Sequence, residues 1–185
     1  SPQLQGYFKS GMGFHSNDAR TIVQNRTDEI LPSAYGFDLG FIWKPIPRLF
    51  INTAYWYLFL EQEFVYVGDE GVVEPSGRSR RNGFDFSLRY QPVSWLFWDS
   101  DLNYTFAKAI DEPEGADYIP LAPDLTIMNG LNFIHPSGWY GGFKWRMVDD
   151  RPANEDNSIV AIGYHVIDFN MGYQWKKINI DLNIQ

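Results

Sequence analysis

A period-two alternation of apolar and polar residues constrains this chain more than any other feature. In Tyr35-Gly36-Phe37-Asp38-Leu39-Gly40-Phe41-Ile42-Trp43, the side chains of Tyr35, Phe37, Leu39, Phe41 and Trp43 fall on one face of an extended strand, with Gly36, Asp38 and Gly40 on the other. A helix would scatter these residues around its axis, so the segment reads as a half-buried β-strand. The pattern recurs along the chain. Phe84, Phe86, Leu88 and Tyr90 oppose Gly83, Asp85, Ser87 and Arg89, and Leu96, Trp98, Leu102, Tyr104 and Phe106 oppose Asp99, Asp101, Asn103 and Thr105. Trp139, Phe143, Trp145 and Met147 oppose Tyr140, Gly142, Lys144 and Arg146. Phe169, Met171, Tyr173 and Trp175 oppose Asp168, Asn170, Gly172 and Gln174. Ile178, Ile180, Leu182 and Ile184 oppose Asn179, Asp181, Asn183 and Gln185, and the opening run sets Leu4, Phe8, Met12 and Phe14 against Gln5, Tyr7, Lys9 and His15. Two further strands, 49–67 and 125–134, alternate less cleanly, which brings the expected total to about eight or nine.

The connections alternate in length. Lys44-Pro45-Ile46-Pro47-Arg48, Gln91-Pro92-Val93-Ser94, His135-Pro136-Ser137-Gly138 and Lys176-Lys177 read as tight turns, whereas 17–32, 68–82, 108–124 and 149–159 are long and polar. Short turns at one end and long loops at the other describe an antiparallel meander, and equally an outer-membrane barrel with periplasmic turns and extracellular loops. Most acids sit in the long segments, including Asp69, Glu70, Glu74, Asp111, Glu112, Glu114, Asp117, Asp149, Asp150, Glu155 and Asp156, while Lys44, Arg48, Lys176 and Lys177 mark the short turns.

Two architectures fit such strands: a soluble sandwich or small barrel, and a membrane-spanning barrel. Composition decides between them. Aromatic residues make up 17% of the chain, too many bulky rings to pack inside so few strands. Trp43, Tyr90, Trp139 and Trp175 gather at strand ends beside turns, where interfacial girdles belong. Gly, Asn and mixed charges on the opposite face suit a wide aqueous lumen. No run approaches the roughly 18 apolar residues of a transmembrane helix, which a spanning strand does not need. The net charge of -8 argues against nucleic acid as a partner, and the absence of cysteine excludes thiolate chemistry.

The fold expected is therefore all-β: an antiparallel transmembrane β-barrel meander, with residues 1–185 as a single barrel segment. Because a sheet in lipid must close, and an odd strand count leaves the termini on opposite sides, further strands are expected beyond this segment.

Several segments resemble the C-terminal barrel of TonB-dependent receptors. They are Tyr7-Phe8-Lys9-Ser10-Gly11-Met12-Gly13-Phe14-His15-Ser16-Asn17-Asp18-Ala19-Arg20, Ser79-Arg80-Arg81-Asn82-Gly83-Phe84-Asp85, Ile119-Pro120-Leu121-Ala122-Pro123, Tyr164-His165-Val166-Ile167-Asp168 and the last strand, 178–185. The resemblance implies a share in a barrel of about 22 strands, filled by an N-terminal plug that this segment lacks. It further implies a Gram-negative outer-membrane location and uptake of a scarce ligand, an iron chelate, cobalamin or glycan, with energy delivered by TonB through the plug. A passive porin-like channel is the alternative.

The expected ligand-contacting groups lie at loop bases and on the lumenal face. At the base of the first loop they are His15, Asn17, Asp18 and Arg20, which could equally form a hydrogen-bond network that fixes the loop. Arg80 and Arg81, with Arg78, form a cationic cluster suited to an anionic ligand or a lipopolysaccharide phosphate, or to pairing with Asp69, Glu70 and Glu74. Asp85, Arg89, Lys144 and Arg146 should line the lumen with Asp38, Asp99 and Asp101, forming inward ion pairs or facing the plug. The acidic run Asp111, Glu112, Glu114 and Asp117 lacks calcium-loop spacing and reads as solvated, so no metal or other cofactor is expected. Outer-membrane enzymes would need Ser, His and Asn, or Asp and His, placed together. The three histidines fall on separate elements, and His15 and Ser16 point to opposite faces, so no catalytic residue is assigned.

Overall fold

The computed structural model describes residues 3–14, 31–67, 72–75 and 77–185. Nine strands form one antiparallel sheet in which chain neighbours are sheet neighbours. They are β1 (Leu4–Phe14), β2 (Ser33–Trp43), β3 (Leu49–Leu60), β6 (Ser79–Val93), β7 (Leu96–Ala109), β8 (Leu125–Ile134), β9 (Trp139–Val148), β12 (Tyr164–Trp175) and β13 (Ile178–Ile184). Two small hairpins stand in the long loops: β4 (Phe64–Val67) with β5 (Val72–Pro75), and β10 (Arg151–Pro152) with β11 (Val160–Ala161). There is no helix among the described residues. β1 and β13 are each paired on one side, so the meander is an open stretch of barrel wall.

The strand expected over 49–67 is in fact two. The main-sheet strand ends at Leu60, and Phe64–Val67 belongs to the hairpin. The break falls at Glu61–Glu63, where the Glu63 amide turns to the Gly77 carbonyl at 3.0 Å. Strands also run further into the loops than the sequence suggested, with β6 starting at Ser79 and β7 reaching Ala109. Pro92 lies within the end of β6, at the register shift between Tyr90 and Val93, where its missing N–H costs no ladder bond. The tight turns close through left-handed residues: Arg48 (φ 64°), Gly138 (φ 97°) and Lys176 (φ 55°).

Register fixes the two faces, because residues paired across strands share a side. One row runs Tyr7–Gly40–Ala54–Asp85–Asn103–Thr126–Val148–Tyr164, and another Ile42–Asn52–Ser87–Asp101–Met128–Arg146–Val166. The opposite face carries Phe8, Leu39, Tyr55, Phe84, Phe86, Leu102, Phe143, Ile167 and Ile180 in the same pairings. Among the described residues the buried hydrophobics are only Ala54, Leu60, Ala109 and Ile119. The chain exposes 12145 Å², about a third more than the roughly 9,200 Å² of a compact monomer of its mass. A soluble sandwich would have packed this apolar face against a second sheet, and none is present among the described residues. Trp43, Trp139 and Trp175 stand exposed on it beside the short turns, as the girdle pattern requires.

Glycines on the polar face do more than widen a lumen. Gly40, Gly83 and Gly172 are paired directly with Tyr7, Trp56 and Tyr140. A Cβ at Gly83 would meet the Tyr104 carbonyl and lie 2.9 Å from the Trp56 ring, and one at Gly40 would lie 2.6 Å from the Tyr7 ring. Each glycine is the bed on which a cross-strand ring lies flat along the wall, an arrangement that restores the packing a strand glycine forfeits.

Candidate functional site

The polar face carries a ladder of ion pairs between neighbouring strands. Arg89, on β6, spans to β7: its Nη2 is 2.9 Å from both carboxylate oxygens of Asp101, and its Nε is 3.3 Å from Asp99. Ser87 donates to the same Asp101 at 2.7 Å. Arg146 on β9 pairs with Asp168 on β12 at 3.0 Å. Lys144 stands opposite Asp168 in register, one row nearer the short turns. Asp85 accepts from Trp56 Nε1 at 3.2 Å and from Asn103 at 2.5 Å. Alternation puts each of these groups on one face, and antiparallel register places opposite charges across from one another. The ladder thus follows from strand sequence plus pairing.

Asp85 and Arg146 line one depression of about 380 Å³, together with Asn52, Ser87, Asp101 and Tyr164. A larger depression, about 730 Å³, lies at the short-turn end of the same face. Ile46, Pro47, Phe50 and Phe97 line it above Arg89 and Asp99.

At the long-loop end the wall is roofed. The segment after β7 turns back onto the polar face, burying Ile119 and Pro120. Residues 119–123 line an open depression of about 450 Å³ with Trp56, Arg81, Asn103, Thr105 and Ala107. Two loops are stitched together there, because Tyr118 N–H donates to the Glu155 carbonyl at 3.0 Å and Leu121 N–H to the Pro152 carbonyl at 2.7 Å. Lys108 anchors the turn, with Nζ 2.7 Å from Asp117 and 3.6 Å from the centre of the Tyr118 ring. That hydrogen bond holds the Asp117 carboxyl below its ordinary pKa. Asp124, by contrast, is pushed up, first by burial and then by the nearby charge of Asp149.

The cationic cluster read from Arg78, Arg80 and Arg81 does not survive folding as a unit. Arg78 grips Asp111 through its guanidinium at 2.5 and 3.0 Å, and its own N–H donates to the same carboxylate at 2.9 Å. Those hydrogen bonds pull the Asp111 carboxyl down to about 2. Arg81 points to the polar face and pairs with Glu63, whose other oxygen accepts from the fully buried Ser79 hydroxyl at 2.6 Å. Arg80 lies on the apolar face, across from Phe59 and Lys108. The partners are thus Asp111 and Glu63, while the side chains of Asp69, Glu70 and Glu74 lie outside the described residues. His15, Asn17, Asp18 and Arg20 also lie outside them. His165 stands on the apolar face, stacked on Trp145 with ring centroids 5.9 Å apart.

Glu63, Trp56 and the inward turn at 119–123 were not singled out as site residues from the sequence. Trp56 sits in Ala54-Tyr55-Trp56-Tyr57-Leu58-Phe59-Leu60, where both faces are apolar and alternation carries no signal. Its facing could have been found only from the glycine opposite it on β6.

A sequence model of the family described as "TonB dependent receptor-like, beta-barrel" matches residues 1–185. No curated protein matches the sequence. Among solved structures, the chain is similar to the ferric yersiniabactin uptake receptor FyuA from Yersinia pestis (14% identity, TM-score 0.76, 99% of this chain and 29% of that one). It is also similar to the ferric-catecholate import receptor Fiu from E. coli K12 (17% identity, TM-score 0.75, 99% and 28%). A third is the siderophore receptor PiuA from Acinetobacter baumannii (14% identity, TM-score 0.77, 99% and 29%). The chain therefore spans less than a third of the length of these three structures, and at these identities the likeness is one of fold.

Proposed function

This chain belongs to the TonB-dependent receptor β-barrel family, and from that premise we propose that it is one stretch of wall in an outer-membrane receptor of a Gram-negative bacterium. In this reading the receptor takes up a scarce ligand, of iron-chelate, cobalamin or glycan type, with energy supplied by TonB through a plug domain. A small molecule, the plug and the lipid of the outer membrane are its partners, and it performs no chemistry on the ligand. The observation that carries the proposal is the contrast between the two faces. A polar wall carrying two interstrand ion-pair clusters leads down from a mouth half-roofed by residues 119–123, while the other side is apolar and uncovered. The apolar bowl around Ile46, Pro47, Phe50 and Phe97 offers the plug a seat. Asp85, Arg89, Lys144, Arg146 and Arg81 are the lumenal groups that ligand or plug would meet.

The names of the solved neighbours make a ferric catecholate the first ligand to test. Cells producing the full-length protein should accumulate labelled iron from it, and removing TonB should abolish that accumulation. Uptake that persists unchanged without TonB would instead establish the passive-channel reading.

Orientation has its own check. In intact cells, a cysteine placed at the exposed Glu114 should react with a membrane-impermeant thiol reagent, and one at Lys176 should stay unlabelled. The opposite pattern would invert the assignment of loops and turns.

A further inference from the structure

The roof at the long-loop end is built on a turn that its residues disfavour. Ile119, Pro120, Leu121 and Ala122 form a four-residue turn, closed by the Ala122 N–H donating to the Ile119 carbonyl at 3.3 Å. Proline at the second position and a positive φ at the third match a type II turn, whose third position is ordinarily glycine or asparagine. Here it is leucine, held at φ 61°. Of the other non-glycine residues with positive φ among those described, Arg48 and Lys176 belong to the short turns, and asparagine, as at Asn157, accepts this conformation readily. Leucine has no polar side-chain atom to offset the crowding of its Cβ against the following carbonyl.

Such strain persists only where the surroundings impose it. Another loop imposes it here. Leu121 N–H donates to the Pro152 carbonyl at 2.7 Å, and Tyr118 N–H to the Glu155 carbonyl at 3.0 Å. The accepting loop is itself ordered by the buried Asn154. Its side-chain amide donates to Ser158 Oγ at 2.8 Å, and its side-chain oxygen accepts from Ile159 N–H at 3.1 Å. Two further unfavourable groups lie beside the turn. Arg81 Nε, whose residue lines the depression with 119–123, and Arg151 Nη1, one residue before Pro152, are buried without a hydrogen-bond partner among the described residues. A buried donor left unpaired disfavours the state that buries it.

We propose that residues 118–123 form a strained flap over the mouth, latched by residues 152–155, and that the two loops open together when the latch parts. The flap rests on the uptake reading and adds to it a device that regulates entry. Leu121 sets its balance, because the left-handed strain exists only while the flap is down. Opening also returns the two arginine donors to water.

The test is hydrogen exchange of the full-length receptor in lipid nanodiscs, resolved by mass spectrometry to the Tyr118 amide, which reports local opening. Leu121→Asn and Leu121→Ala both shed the leucine side chain, but only asparagine tolerates the left-handed backbone. Exchange at Tyr118 should therefore be about fivefold slower in Leu121→Asn than in Leu121→Ala. Asn154→Ala loosens the partner loop and should quicken exchange at Tyr118 about tenfold, although Asn154 belongs to a different loop. Should that variant fail to assemble, Ser158→Ala removes one of the Asn154 contacts and should quicken it about threefold. Equal exchange in the two Leu121 variants, or faster exchange in Leu121→Asn, overturns the strain. An Asn154→Ala or Ser158→Ala receptor that leaves Tyr118 unchanged overturns the coupling. The readout needs no ligand, so a receptor that shows both shifts but imports no iron chelate keeps the flap and loses the uptake reading. One that imports it and shows neither shift loses the flap alone.

Discussion

An arginine placed at Phe86 in the full-length receptor is expected to cost about 2–4 kcal/mol of stability, because Phe86 sits near mid-height on the lipid-facing side and a charge there meets hydrocarbon. Its cross-strand neighbours are Thr53 and Leu102, neither of which can neutralise it. An arginine one residue on, at Ser87, is expected to cost only about 0.5 kcal/mol, the scale of an exposed substitution. Ser87 faces the lumen, and a guanidinium there would join Asp101, which already receives the Ser87 hydroxyl and Arg89. Chemical unfolding from lipid vesicles measures both. Equal penalties at the two positions would refute the assignment of faces, since a single residue step along a strand exchanges one side for the other.

Removing Glu63 is expected to be nearly as damaging, for a different reason. Its residue surface is 8% exposed, and it satisfies both the buried Ser79 hydroxyl and the Arg81 guanidinium. Glu63→Ala leaves a cation enclosed without its counter-charge, a change that costs about 3–5 kcal/mol when the site is fully buried. The Arg81 side chain keeps 29% of its exposure, and water can reach part of it, so about 2–3 kcal/mol is the expected loss. The double variant Glu63→Ala, Arg81→Met should recover most of that, since no unpaired charge remains. A single variant indistinguishable from wild type in the same unfolding assay would show that the tie contributes nothing. A double variant worse than the single would show that the arginine has another anchor.

These two sites also mark the limit of what could be read in advance. The faces of β2, β6, β7, β9, β12 and β13 were legible because each alternates by itself, and Asp85, Arg89, Lys144 and Arg146 were placed on the lumenal side from that alone. Glu63 was not legible, because its partners Ser79 and Arg81 arrive from a strand that begins sixteen residues later, as the 79–63 spacing shows. The long segments were correctly separated from the short turns. Their inward course at 119–123 was invisible, because it is fixed by backbone hydrogen bonds to Pro152 and Glu155, which any sequence can make.

The sequence by itself determined that the chain is a meander of antiparallel strands with one apolar and one polar side. A period of two admits no other regular structure, and loop lengths alone sort the two ends. Tertiary structure decided everything that depends on which residue lies across the ladder. It laid Trp56 along Gly83. It paired Arg89 with Asp101 and Arg146 with Asp168. It also divided three consecutive-looking arginines among a loop, a lumen and a lipid-facing rim. Alternation is a property of one strand, whereas register is a property of two, and neither strand carries it alone.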